Sequence, residues 1–264
     1  MPYITINGAR LHYTDTQQGN ETILFSHGLL LNGEMFEAQI DALRHRFRCI
    51  AYDHRGQGKS EVTESGYDID SLTDDAAALI DALGIAPCHF VGLSMGGFVG
   101  MRLGFRKPDL LKSLTLMETS ADPEAPERKR RYALLNFVAR WFGLGSVANR
   151  VMPIMFGRTF LNDPSRAEER DRWRTTMSSG DTRGINRSVE GVIRRQGVAD
   201  EIAAIRLPTL VLVGDEDAAT PPERAERIRA AIPGARLKII PGAGHSSTIE
   251  QPQLVTEALS EFLA

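Results

Sequence analysis

The chain is poor in cysteine: Cys49 and Cys88 are the only two among 264 residues. That pair makes neither a metal-ligand spacing nor a disulfide framework, which excludes a cystine-stapled scaffold and a zinc module. Long hydrophobic runs are also missing. No apolar stretch approaches the roughly 18 residues that span a bilayer, and residues 1–20 are too polar for the core of a secretory signal. A cytoplasmic protein without a membrane partner is therefore expected. Nor is there a strong charge of one sign: the net charge is −3, which gives no overall attraction to nucleic acid. The charge is unevenly spread, however. Residues 121–200 hold 15 basic and 10 acidic side chains, a balance of +5 against −8 for the remainder.

A hydrophobic content of 42% with 25% charged residues fits a globular chain with a large core. The length fits one α/β domain carrying an insertion. Asn7-Gly8 between two partly alternating runs signals an opening β-hairpin. Four apolar runs follow, at 22–28, 48–53, 89–94 and 113–119, and two more at 207–214 and 236–242. Each ends in small or polar residues and reads as a buried parallel strand. Helical patterns lie between them, one starting at a Ser71 cap and stopping at Gly84, others over 222–231 and through the last dozen residues. Alternating strands and helices predict a parallel sheet covered on both faces.

From 120 to 200 the strand signal disappears. Aromatic and Met residues recur there at helical spacing, and Pro153, Pro164 and several glycines divide the span into short helices. The expected organisation is a core of 1–119 and 201–264 with a helical cap, or lid, of 120–200.

Gly92-Leu93-Ser94-Met95-Gly96 matches G-x-S-x-G, in which a serine sits on a strained turn between strand and helix. Glycines beside it leave room for that turn, and Gly97, Gly100 and Gly104 let the helix approach its strand. A serine hydroxyl needs a base, and the base an orienting acid. In the usual chain order for this motif, only His245, in a glycine-rich loop, follows the acidic cluster at 215–217. His12, His45, His54 and His89 are expected on the surface or in strands. For the acid, Asp217 lies further into its loop than Asp215, which suits a turn-shaping role; Glu118, at another strand end, is a third candidate. Backbone N–H groups of Met95 and Leu29 could bind an oxyanion.

Taken together, HG at 27–28, DHRGQGKS at 53–60, GLSMGG at 92–97, GDEDAATPP at 214–222 and GH at 244–245 resemble the α/β-hydrolase superfamily across nearly the whole chain. Within it, GDEDAATPP and the preceding SVEGVIRRQGVADEIAAIRLPTL look like the carboxylesterase and 3-oxoadipate enol-lactonase subgroup. The resemblance implies a mostly parallel eight-stranded sheet flanked by helices. It implies Ser94 as nucleophile, His245 as base, Asp217 as acid, and Leu29 and Met95 as oxyanion donors. It also places the 22–28 strand between those of Cys49 and Cys88. Two strand spacings, roughly 9–10 Å, exceed the reach of a disulfide, so both should remain thiols.

The expected function is hydrolysis of a small-molecule carboxylic ester or lactone through an acyl-enzyme, without metal or organic cofactor. A 3-oxoadipate enol-lactonase proper is one alternative; carbon–carbon bond hydrolysis, perhydrolysis and cyanohydrin cleavage are others that use the same serine and histidine. A non-catalytic, receptor-like ligand-binding protein is the alternative of another class. Gly58-Lys59-Ser60 mimics the end of a phosphate-binding loop, but the first glycine of that motif is replaced by Asp53. The cap should line an apolar pocket with residues such as Phe137, Trp141, Met152, Phe156 and Trp173, and its positive balance points to anionic substrates. Oligomeric state is not legible.

Overall fold

The computed structural model describes residues 2–264. Strands β1 (Tyr3–Ile6) and β2 (Ala9–Asp15) form the expected hairpin, with Asn7 at φ 47° and Gly8 at φ 75°. Positive φ at both positions matches the turn to the twist of its strands. Six further strands are β3 (Glu21–Ser26), β4 (Phe47–Tyr52), β5 (Cys88–Leu93), β6 (Leu111–Met117), β7 (Thr209–Gly214) and β8 (Arg236–Ile240). They complete one eight-stranded sheet in the order β1-β2-β4-β3-β5-β6-β7-β8. It is antiparallel at β1/β2 and β2/β4 and parallel elsewhere.

The helices are α1 (Glu37–Leu43), α2 (Ile69–Ala82), α3 (Met95–Arg106), α4 (Pro126–Phe142), α5 (Ala148–Met155) and α6 (Arg158–Asn162). They continue as α7 (Ala167–Ser179), α8 (Thr182–Arg194), α9 (Pro222–Ala231), α10 (Ser247–Glu250) and α11 (Pro252–Phe262). Successive strand side chains point to opposite faces. On β3, Ile23 and Phe25 share a cluster with Leu43 of α1 and Val255 and Leu259 of α11, while Leu24 joins Leu79 of α2 and Leu103 of α3. Both faces are covered, which is why the central strands read as continuous apolar runs rather than alternating ones.

α2 starts earlier than expected. Asp68, not Ser71, caps it, accepting the Ser71 N–H at 2.9 Å and the Ser71 hydroxyl at 2.7 Å. An acidic cap also suits the positive end of the helix dipole. Between β6 and β7 the chain runs through α4 to α8, with no strand among the described residues 120–200. Pro153 lies inside α5 instead of ending a helix; the breaks fall at Gly143, Gly157, Asp163 and Gly180.

Candidate active site

β5 ends at Leu93 and α3 begins at Met95, which leaves Ser94 alone on the connecting turn at φ 52°, ψ −106°. Left-handed φ is strained for a residue with a Cβ and persists only when its surroundings impose it. Here Ser94 N–H donates to the Met117 carbonyl at 2.8 Å, and the Thr119 hydroxyl donates to the Ser94 carbonyl at 2.9 Å. The flanking glycines supply close approach. A Cβ on Gly92 would stand 2.2 Å from the Gly96 carbonyl oxygen, and one on Gly96 would stand 2.0 Å from that of Ser26. Any side chain at either position would open the turn.

His245, on the loop between β8 and α10, brings its Nε2 to 2.8 Å from Ser94 Oγ. Its Nδ1 lies 2.9 Å from Oδ2 and 3.0 Å from Oδ1 of Asp217, beyond β7. A carboxylate only accepts, so Nδ1 carries the proton and Nε2 is left to accept from the serine hydroxyl. Asp217 is held in turn. The Ala219 and Thr220 N–H groups donate to Oδ1 at 2.8 and 2.9 Å, and the Thr220 hydroxyl donates to Oδ2 at 2.7 Å. Asp-Ala-Ala-Thr is thus a side-chain-capped turn, a local signal the sequence reading passed over.

The other two acids do different work. Asp215 accepts the Gly242 N–H at 2.8 Å and shapes its turn. Glu118, at φ 42°, is fully buried and neither carboxyl oxygen has a hydrogen-bond partner. Burial, reinforced by the negative charges of Asp217 and Glu250, holds its carboxyl well above the usual range. Glu250 was not legible in sequence. It accepts N–H groups of Gly157, Gly244 and Ser246 at 2.7, 3.0 and 3.0 Å, tying the His245 loop to the start of α6. Burial raises it to about 7 despite those three donors.

The loop of Gly28 and Leu29 runs beside Ser94: a Cβ on Gly28 would lie 3.4 Å from that of Ser94. Its position is fixed from behind. His27 Nδ1–H donates to the Gly28 carbonyl at 2.7 Å, and its Nε2 accepts the His54 N–H at 3.0 Å. Gln57 accepts the Leu30 N–H at 2.8 Å and points its amide at Met95 Sδ, 3.8 Å away, so one side chain touches both expected donor segments. His54 is neither on the surface nor in a strand. It is buried in the loop after β4, 3.0 Å from Ser26 Oγ, and burial holds it well below the usual imidazole value. His12 and His89 do lie in β2 and β5, and His45 is exposed. Asp53 carries the rest of this loop, accepting N–H groups of Gly33 and Lys59 at 2.9 Å and facing His12 Nδ1 at 2.8 Å. The DHRGQGKS segment is accordingly a turn built around a carboxylate, not a phosphate cradle.

A cavity of about 120 Å³ lies beside Ser94 and His245, walled by apolar side chains of α4, α5 and α8 such as Leu135, Val151, Met155 and Val189. The five expected pocket residues are elsewhere. Phe137 and Trp141 face outward on α4, 59% and 68% exposed, while Met152, Phe156 and Trp173 are buried in the cluster behind the cavity wall. The positive balance of residues 121–200 does not extend to the cavity lining: among the described residues there, none is Arg or Lys. Several arginines of this span are used in the framework: Arg166 donates to the Ile249 and Glu250 carbonyls, Arg172 pairs with Glu37, and Arg187 with Glu64.

A thermophilic esterase from Thermogutta terrifontis superposes with a TM-score of 0.92 at 33% identity, covering 100% of this chain and 98% of that one. The enol-lactonase from Burkholderia xenovorans LB400 gives 0.92 at 32% identity over 99% of both chains. Among curated relatives, a candidate carbamate hydrolase of Caulobacter sp. (strain K31) is 28% identical over 249 residues, 92% of this chain and 91% of that protein. The family described as the alpha/beta hydrolase fold matches residues 21–252, and the chain belongs to that family.

Proposed function

We propose that this α/β hydrolase cleaves a small-molecule carboxylic ester or lactone with Ser94 as nucleophile, His245 as general base and Asp217 as the orienting acid. The observation that carries the reading is the continuous contact from Ser94 Oγ through both nitrogens of His245 to Asp217. His245 Nε2 takes the serine proton as Oγ attacks the carbonyl carbon. The N–H groups of Leu29 and Met95 receive the charge that develops on the carbonyl oxygen. Collapse expels the alcohol, protonated by His245; in a lactone the ring opens instead. Water, activated by the same imidazole, then releases the acid.

In this reading the span 120–200 is a cap that encloses the non-reacting part of the substrate. The protein works in the cytoplasm, which its free, buried thiols suit. A ligand-binding role would not call for a serine–imidazole contact of 2.8 Å on a strained turn. The similarity to a candidate carbamate hydrolase keeps carbamates among the substrates to be tried, because the same attack on a carbonyl serves both. The test is turnover of a panel of p-nitrophenyl esters, lactones and an aryl carbamate by the native protein and by Ser94→Ala. Serine-dependent release from at least one carboxylic ester or lactone is expected. Equal rates in the two proteins would contradict the reading.

A further inference from the structure

Among the described residues that line the cavity, Glu124 is the one acidic side chain, and no Arg or Lys is among them. Its Oε2 accepts from Arg195 Nη1 at 3.0 Å, and the two side chains are 8% and 1% exposed. Arg195 lies behind the lining, and its buried Nε has no hydrogen-bond partner among the described residues. It also donates to the Val192 and Asp122 carbonyls, and its guanidinium lies 4.2 Å from the centre of the Phe98 ring. The remaining polar groups of the lining, apart from Ser94 and His245, are Tyr132, Asn136 and Thr220, all neutral. Thr220 and Asn136 already donate within the chain, to Asp217 and to the Asn186 carbonyl.

A carboxylate entering this space would give up its hydration and find the Arg195 charge already matched by Glu124. An ion desolvated without a partner costs several kcal/mol. An uncharged apolar group pays none of this and gains from burial. The volume gives a scale as well: apolar cavities of roughly 150 Å³ hold a benzene-sized ring, so about 120 Å³ suits an arm of about six heavy atoms. We propose, resting on the serine-hydrolase reading above, that the substrate is an uncharged ester or lactone with an apolar enclosed arm of about that length. By occupying Arg195, Glu124 is then a specificity-determining residue that leaves a carboxylate-bearing substrate no free counter-ion. This separates the chain from a 3-oxoadipate enol-lactonase. Closing one ring consumes one carboxyl of a diacid and leaves the other as a free carboxylate.

The test compares p-nitrophenyl 5-methylhexanoate with mono-p-nitrophenyl glutarate, in which two carboxylate oxygens replace two methyl groups, after subtraction of spontaneous hydrolysis. For the native protein kcat/KM should favour the neutral ester by at least about 100-fold. Glu124→Gln leaves the Arg195 charge unmatched beside the cavity and should cut that ratio at least tenfold. Val189→Arg, on a half-buried wall position that tolerates a long side chain, should do the same without disturbing the buried pair. A native ratio within threefold of one, or a ratio unchanged in both folded variants, would overturn the proposal while leaving the serine-hydrolase reading intact. No Ser94-dependent turnover of either ester would overturn both.

Discussion

Asp217 and Asp215 stand two positions apart in one loop, yet only Asp217 touches His245, while Asp215 accepts a backbone N–H of Gly242. Asp217→Asn should therefore lower kcat by on the order of 10⁴, since an amide donor opposite Nδ1 favours the wrong tautomer. Asp215→Asn should cost less than tenfold. Steady-state kinetics of both would reverse the assignment if the ranking came out the other way. Glu118 offers a pH test. Its folded carboxyl is held well above the ordinary value of 4.5 by burial, so the folded protein keeps a proton that the unfolded chain releases. That contribution is complete below about 4.5 and is lost as pH rises towards the raised value. Glu118→Gln should thus gain in Tm relative to the native protein between pH 5 and pH 8, whatever its offset at pH 5. A constant or shrinking difference would show that the carboxyl ionises freely in the fold.

At the scale of elements, the parts that can be read from sequence are those where one local rule has one solution. Asn7-Gly8 demands a two-residue turn, the strands buried on both faces leave no polar interruption, and Gly92 and Gly96 leave the elbow no alternative. Local signals with two solutions misled. Asp68 and Ser71 are both good caps, and the choice rests on where the chain emerges from the preceding loop. Aromatics on the short helices of 120–200 behave likewise: α4 packs on α8 through the face bearing Ala139 and Leu135, which turns Phe137 and Trp141 outward. Nothing in their spacing encodes which neighbour α4 will meet. Gln57 shows the same dependence on assembly, since its role exists only once β3, β4 and β5 lie side by side. Gln57→Ala frees the Leu30 N–H and the loop behind it, and should lower kcat about tenfold with a smaller change in KM, because oxyanion donors act in the transition state. An effect confined to KM would place Gln57 in ground-state binding instead.

For the whole molecule, the positive balance of residues 121–200 does not describe the cavity lining, because net charge counts side chains and not where they point. Arg166 and Arg187 of this span hold a carbonyl and a carboxylate of the framework, and the space over Ser94 is lined mostly by apolar side chains. The cysteines show the opposite case. Strand order alone keeps Cys49 and Cys88 apart, and burial pushes both thiols up to about 12. The native protein should accordingly give no fast reaction with a disulfide reagent such as DTNB, and two equivalents after unfolding in guanidinium. A thiol titrating rapidly in the native state would mean that the packing around β4 or β5 is looser than described.

The central claim is that Ser94 is activated by His245, and covalent labelling reads this most directly. An organofluorophosphonate should place one adduct on the native protein, located by peptide mass spectrometry at Ser94, with no adduct on Ser94→Ala and labelling slowed by at least about 10³ in a folded His245→Ala. An adduct at another residue, or native-rate labelling without the imidazole, would contradict the account.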